Sequence, residues 1–209
     1  MVKSMKKIGI LMRPMITSSG NKGYLLYKSL NDYLLKNNII VFGFTAPIIN
    51  GVLDKKSLKK ITKICDGIIL EGGDDFDSTD EEIARYLYDK NIPTLGICLG
   101  AQIMGSAFNG KVSKINGHMS KNKYVHFVYI DKNSRLYKIL KKRKILVNSR
   151  HNFAISNTDL KVCAKSNVIE AVSDDNKKFF IGIQWHPENL DDGNSYKLFR
   201  AFFNSLKKN

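Results

Sequence analysis

Four short apolar runs, at 7–12, 38–44, 66–70 and 93–98, alternate with longer stretches at 23–36, 55–64 and 80–89 whose apolar residues recur at helical spacing. That alternation of strand-like and helix-like periodicity is the pattern of a sheet covered by helices. Each crossover is long enough to carry a helix, and such crossovers are right-handed. The expected fold is therefore α/β, a doubly wound, mostly parallel sheet flanked by helices. After Asn109 the texture changes. Segments 123–130, 144–147, 160–164, 168–172 and 179–184 read as successive strands, additional antiparallel ones in the C-terminal half, and 195–206 as a closing helix. No linker rich in Pro, Gly or Ser divides the halves, so residues 1–209 are expected to form a single domain without internal repeats.

Chemistry enters at the end of the fourth run. In Gly96-Ile97-Cys98-Leu99-Gly100 a cysteine closes a buried strand with glycine two residues away on each side. A strained strand-to-helix turn needs small neighbours, and it lifts the side chain at its apex clear of the sheet. A helix starting at about Leu99 directs its N-terminal amides and positive dipole end at the sulfur, which favours thiolate. Cys65 and Cys163 lie inside apolar or strand-like runs and read as inert core residues.

A thiolate nucleophile needs a base. Gly182-Ile183-Gln184-Trp185-His186-Pro187-Glu188 offers one at the end of an apolar strand. Residues two apart in an extended chain face the same side, and Pro187 fixes the backbone between them. Glu188 is thereby expected to hold His186 in one tautomer, completing a nucleophile, base and orienter.

Gly96-Ile97-Cys98-Leu99-Gly100-Ala101-Gln102 and His186-Pro187-Glu188 resemble the paired signatures of class I glutamine amidotransferases. Ile68-Ile69-Leu70-Glu71-Gly72-Gly73-Asp74-Asp75 resembles the strand and glycine loop of the same superfamily. The resemblance implies a flavodoxin-like α/β fold, a Cys98-His186-Glu188 triad, and an oxyanion hole from the backbone amides of Gly73 and Leu99. Val147 to Ile155, Ile169 to Val172 and Gly182 to Glu188 together are similar to the γ-glutamyl-γ-aminobutyrate hydrolase branch, the peptidase C26 group. This chain departs from that branch in having Asn152 and Phe153 after its first histidine of the turn, and Leu99 after the nucleophile. By the same resemblance, γ-glutamyl recognition maps to Gln102 and to the turn Ser149-Arg150-His151.

The implied reaction is attack by Cys98 on the γ-carbonyl of a glutamine-like amide or γ-glutamyl amine, forming a γ-glutamyl thioester and releasing glutamate and an amine. The alternative is a glutaminase subunit supplying ammonia to a separate synthetase chain. A third reading, a binding protein that keeps the fold without catalysis, leaves the paired motifs without a purpose. The expected partner is a small-molecule γ-glutamyl substrate. A homodimer and a synthetase chain are left open.

Charge and cysteine content narrow the remaining classes. The net charge of +15 comes from lysines spread along the whole chain, without interleaved aromatics, so no nucleic-acid partner is expected. The basic N-terminus is followed by an apolar run of only Ile8 to Met12 before Arg13-Pro14, too short for a signal-peptide core or a membrane span. Three cysteines, odd in number and far apart, fit a reducing compartment, and a cytoplasmic location is expected. His118, His126, His151 and His186 show no recurrent ligand spacing, and no P-loop or dinucleotide fingerprint is present, so neither a metal nor a cofactor is expected.

Overall fold

The computed structural model describes residues 5–206. The apolar runs pair into one nine-stranded sheet. From edge to edge its strands are Lys144–Val147, His126–Ile130, Lys161–Lys165, Ile169–Ser173, Phe180–Ile183, Thr94–Ile97, Gly67–Leu70, Lys6–Leu11 and Ile39–Phe44. The last five are mutually parallel, and the first four join antiparallel, so the fold is the mostly parallel doubly wound sheet with an antiparallel extension.

Strand residues alternate between the two faces, and each face builds its own core. Ile8, Ile10, Ile69, Leu95, Ile97, Ile181 and Ile183 pack under Leu30 and Leu34 of the helix Lys28–Lys36 and Leu198, Phe199 and Phe202 of the helix Gly193–Ser205. Ile68, Leu70, Val172 and Phe180 pack on the other side against Leu58 of Lys55–Ile64, Ile83 and Leu87 of Ser78–Asp89, and Ile103 and Met104 of Leu99–Ala107. The helix starts are written in the sequence. Asp54 and Asp192 cap their helices, and Asp77 with Asp80 forms a reciprocal capping box.

One expectation is corrected. The segment 23–36 is not helical throughout, since Lys22–Leu25 is a strand in a hairpin with Arg13–Ile16, and the helix begins only at Lys28. The hairpin closes where Gly20, at φ 83°, donates its N–H to the Thr17 carbonyl. Apolar spacing alone extended the helix one turn and more toward this turn. Two short elements escaped the sequence pattern: the helix Arg135–Leu140, capped by Ser134, and the strand pair Lys111–Lys114 with Phe153–Asn157.

The hairpin matters because it is tied to the loop after Leu70. The Arg13 guanidinium makes two hydrogen bonds to Asp80, at 2.8 and 2.9 Å, and another to the Asp75 carbonyl at 2.5 Å. A buried, bidentate charge pair of this kind fixes position as well as energy.

Candidate active site

Cys98 sits at φ 53° and ψ −107°, between the strand Thr94–Ile97 and the helix Leu99–Ala107. Few non-glycine residues occupy such a backbone region, and they persist where surrounding structure holds them. Here the Cys98 N–H donates to the Ile183 carbonyl at 2.8 Å, while its own carbonyl accepts the first helical N–H groups, from Ala101 and Gln102. The flanking glycines are required by contact. A Cβ on Gly96 would lie 2.5 Å from the Met104 sulfur and 2.7 Å from the Gly100 backbone, and one on Gly100 only 2.0 Å from the Leu70 carbonyl oxygen.

His186 and Glu188 lie where the extended chain after Phe180–Ile183 turns into the 3-10 segment Pro187–Asn189. His186 Nδ1 is 2.7 Å from Glu188 Oε1, which also accepts from Asn189 Nδ2 at 3.0 Å. Asn148 clamps the His186 backbone from the neighbouring loop, donating to its carbonyl and accepting from its N–H, both at 2.8 Å. The ring is thus fixed by its backbone and by its carboxylate. Burial would lower the His186 pKa, but hydrogen bonds to Cys98 and Glu188, with the charge of both, raise it to about 10. The arrangement holds an imidazolium between an anionic sulfur and a buried carboxylate.

The glycine loop closes the other side. A Cβ at Gly72 would meet His186 Cε1 at 3.1 Å and Cys98 Cβ at 3.6 Å, and one at Gly73 would meet Leu99 Cδ2 at 3.1 Å. Gly73 and Leu99 are therefore neighbours beside the sulfur. Gln102 is buried, and its Nε2 donates to the Phe153 carbonyl at 2.8 Å and to Gln184 Oε1 at 3.2 Å. Ser149 and His151 are buried in a network with His118, while Arg150 is exposed. Burial pushes His151 down to about 4, so its ring is neutral at pH 7, with Nδ1 3.0 Å from the Phe153 carbonyl.

Three features were not read from the sequence. Gln184 donates to the Cys98 sulfur at 3.6 Å; its signal was its place two residues before His186 on the same strand face. His118, His126 and Glu170 bring ligand-type atoms within 4.8 Å of one another, across separations that no spacing rule reveals. Glu71, just before the glycine loop, is buried and accepts from the Tyr27 N–H at 2.8 Å.

Burial is the main cause that pushes the Glu71 carboxyl up to about 7; the Tyr27 hydrogen bond opposes it and Glu188 adds to it. A carboxyl raised from 4.5 contributes stability that is complete below pH 4.5 and is lost as pH climbs through 7, by about 3 kcal/mol at most. Glu71→Gln keeps an acceptor for Tyr27 and removes the titration. Its melting temperature relative to wild type is expected to be higher at pH 8.5 than at pH 5. A pH-independent difference would show that this carboxyl does not sit neutral in the folded protein.

A family model, Peptidase C26, matches residues 76–188. The chain belongs to the peptidase C26 family. It is thereby an enzyme of the class I glutamine amidotransferase superfamily. This C26 chain is 29% identical to the gamma-glutamyl-CDP-amidate hydrolase of Campylobacter jejuni, over 87% of this chain and 86% of the relative. It is 28% identical to the glutamine-hydrolyzing subunit of GMP synthase from Archaeoglobus fulgidus, over 92% and 97%. In structure it resembles the glutaminase domain of Trypanosoma brucei CTPS with bound acivicin, with a TM-score of 0.69 and 20% identity over 97% of this chain and 95% of that one. Among the described residues, no helix is long and apolar enough to cross a membrane.

Proposed function

We propose that this C26 enzyme, acting as a single domain, hydrolyses a γ-glutamyl amide through a γ-glutamyl thioester on Cys98. The reading is carried by one observation: a cysteine held at positive φ at a helix N-terminus, hydrogen-bonded to a histidine that is itself bonded to a buried carboxylate. The Cys98 thiolate attacks the γ-carbonyl carbon, and the carbonyl oxygen takes the charge beside the Gly73 and Leu99 amides. His186 then gives its proton to the departing nitrogen as the C–N bond breaks. It next takes a proton from water, whose hydroxide attacks the thioester, and the thiolate leaves with glutamate formed. Glu188 keeps Nε2 of the ring toward the sulfur throughout.

Room for the leaving amine lies beside Gly73, in a cavity of about 680 Å³ lined by Arg13, Lys22, Tyr24 and Tyr27 among others. Gln102, Ser149, Arg150 and His151 surround the opposite side and are proposed to shape the γ-glutamyl end. The similarity to a γ-glutamyl amidate hydrolase over most of both chains favours a self-sufficient hydrolase. The similarity to the glutamine-hydrolyzing GMP synthase chain favours a second reading, ammonia delivery to a separate synthetase.

The test is glutamate release by the purified chain from a panel of γ-glutamyl amines and free glutamine. The first reading expects at least one γ-glutamyl amine to be cleaved at least about tenfold better than glutamine, by kcat/KM and without any partner. Cleavage of glutamine alone, and only after a synthetase is added, would replace it with the second.

A further inference from the structure

We propose that Gln184 is a catalytic residue of this site, its side-chain amide holding the Cys98 thiolate, and that Gln102 is the positioning residue that decides which end of that amide faces the sulfur. The proposal rests on Cys98 being the nucleophile.

A buried primary amide is two-faced. One end donates and the other accepts, and turning it over exchanges the two. Facing a thiolate, the N–H end stabilises the anion and the oxygen end repels it. Something must therefore hold Gln184 the right way round. Its backbone is fixed in the sheet, where its N–H donates to the Glu170 carbonyl at 2.8 Å, and the residue is 1% exposed. What fixes the side chain begins at the Phe153 carbonyl, which can only accept.

That carbonyl has two lone pairs, and both are taken. One receives His151 Nδ1 at 3.0 Å; because His151 is neutral at pH 7, its single ring proton must sit on Nδ1 to make this bond. The other receives Gln102 Nε2 at 2.8 Å, so the Gln102 amide has its nitrogen toward Phe153. The second proton on that nitrogen points to Gln184, 3.2 Å away, and only an oxygen can meet it. With Gln184 Oε1 committed there, Nε2 is left facing Cys98 Sγ at 3.6 Å. Reversing Gln184 would set two NH₂ groups against each other and a carbonyl oxygen against the sulfur. The titratable groups that share the sulfur's surroundings are His186, backed by Glu188, and Tyr27 at the start of its helix.

The experiment is the rate of Cys98 alkylation by iodoacetamide against pH, mapped by mass spectrometry, on the full chain and three variants. It needs no substrate, so it does not depend on which amide is cleaved. Gln184→Met keeps the length and removes the donor, and should slow alkylation at pH 6.5 by roughly tenfold, with less than about a threefold effect at pH 9.5. Gln184→Glu sets a carboxylate beside the sulfur and should slow it further at pH 6.5. Gln102→Glu cannot donate to Phe153; it should release Gln184 to turn over and reproduce the Gln184→Met profile. A variant that has merely lost its fold would expose Cys65 and Cys163 to the reagent as well, and a convergent rate at pH 9.5 with those two still protected excludes this. If wild-type Cys98 reacts no faster than Cys65 or Cys163, the nucleophile assignment fails and the proposal with it. If wild-type Cys98 is reactive and both Gln184 variants follow its pH profile, the proposal alone is overturned.

Discussion

Cys98→Ala is expected to abolish glutamate release, lowering kcat by about 10⁵- to 10⁶-fold, and His186→Ala to cost about as much, because a nucleophile and its base act as a unit. The double variant should then be no worse than either single one. The Glu188→Gln loss should be smaller, on the order of 10²- to 10⁴-fold. The structure gives the reason for the difference: Asn148 holds the His186 backbone on both its N–H and its carbonyl, so the ring keeps much of its direction when the carboxylate is gone. What Glu188→Gln removes is the charge that balances the imidazolium. Steady-state kinetics on the best substrate of the panel decides the matter. Retention of more than about 1% of wild-type kcat by Cys98→Ala would end the thioester mechanism.

The proposed triad was legible in the sequence because each of its parts is local. Cys98 announces itself through Gly96 and Gly100, and His186 with Glu188 through two-residue spacing in an extended segment around Pro187. The parallel half of the sheet was legible for a related reason, since its strands are buried on both faces and read as unbroken apolar runs. What stayed hidden depends on chain segments meeting in space. Gln102 was read, by resemblance, as facing substrate, whereas its nitrogen is engaged by Phe153 and Gln184. The His126–Glu170 contact at 2.7 Å joins residues 44 positions apart, and no periodicity connects them. The hairpin from Arg13 to Leu25 was masked by Tyr24, Leu25, Leu26 and Tyr27, which fit a helical stripe on paper; the turn at Gly20 and the Arg13–Asp80 pair pull that segment into strand geometry instead. Local preference there yielded to tertiary contact.

Gly100→Ala is expected to be the most damaging single-methyl change in the protein. The added carbon would lie 2.0 Å from the Leu70 carbonyl oxygen, 2.7 Å from its carbon and 2.9 Å from its Cβ. Two of these atoms are backbone, so no rotamer change relieves the clash. Leu70 is registered against Leu11 on one side and Gly96 on the other, which anchors it in the middle of the sheet. Either the helix Leu99–Ala107 must lift away, or the end of Gly67–Leu70 must bend. Both routes open the gap between Leu99 and Gly73, since one residue starts that helix and the other lies three positions beyond that strand. Overpacking of this severity costs about 3 kcal/mol or more, and displacement of an oxyanion donor lowers kcat by about 10²- to 10³-fold even in molecules that remain folded. Gly193→Ala is the control, because a Cβ there meets nothing within 4 Å, and it should leave stability within about 0.5 kcal/mol. Denaturant unfolding of both variants, with glutamate release assayed at a temperature where each is folded, separates the two effects. Wild-type kcat in Gly100→Ala would mean that the spacing of Leu99 and Gly73 does not set the rate, and the oxyanion assignment would fall with it.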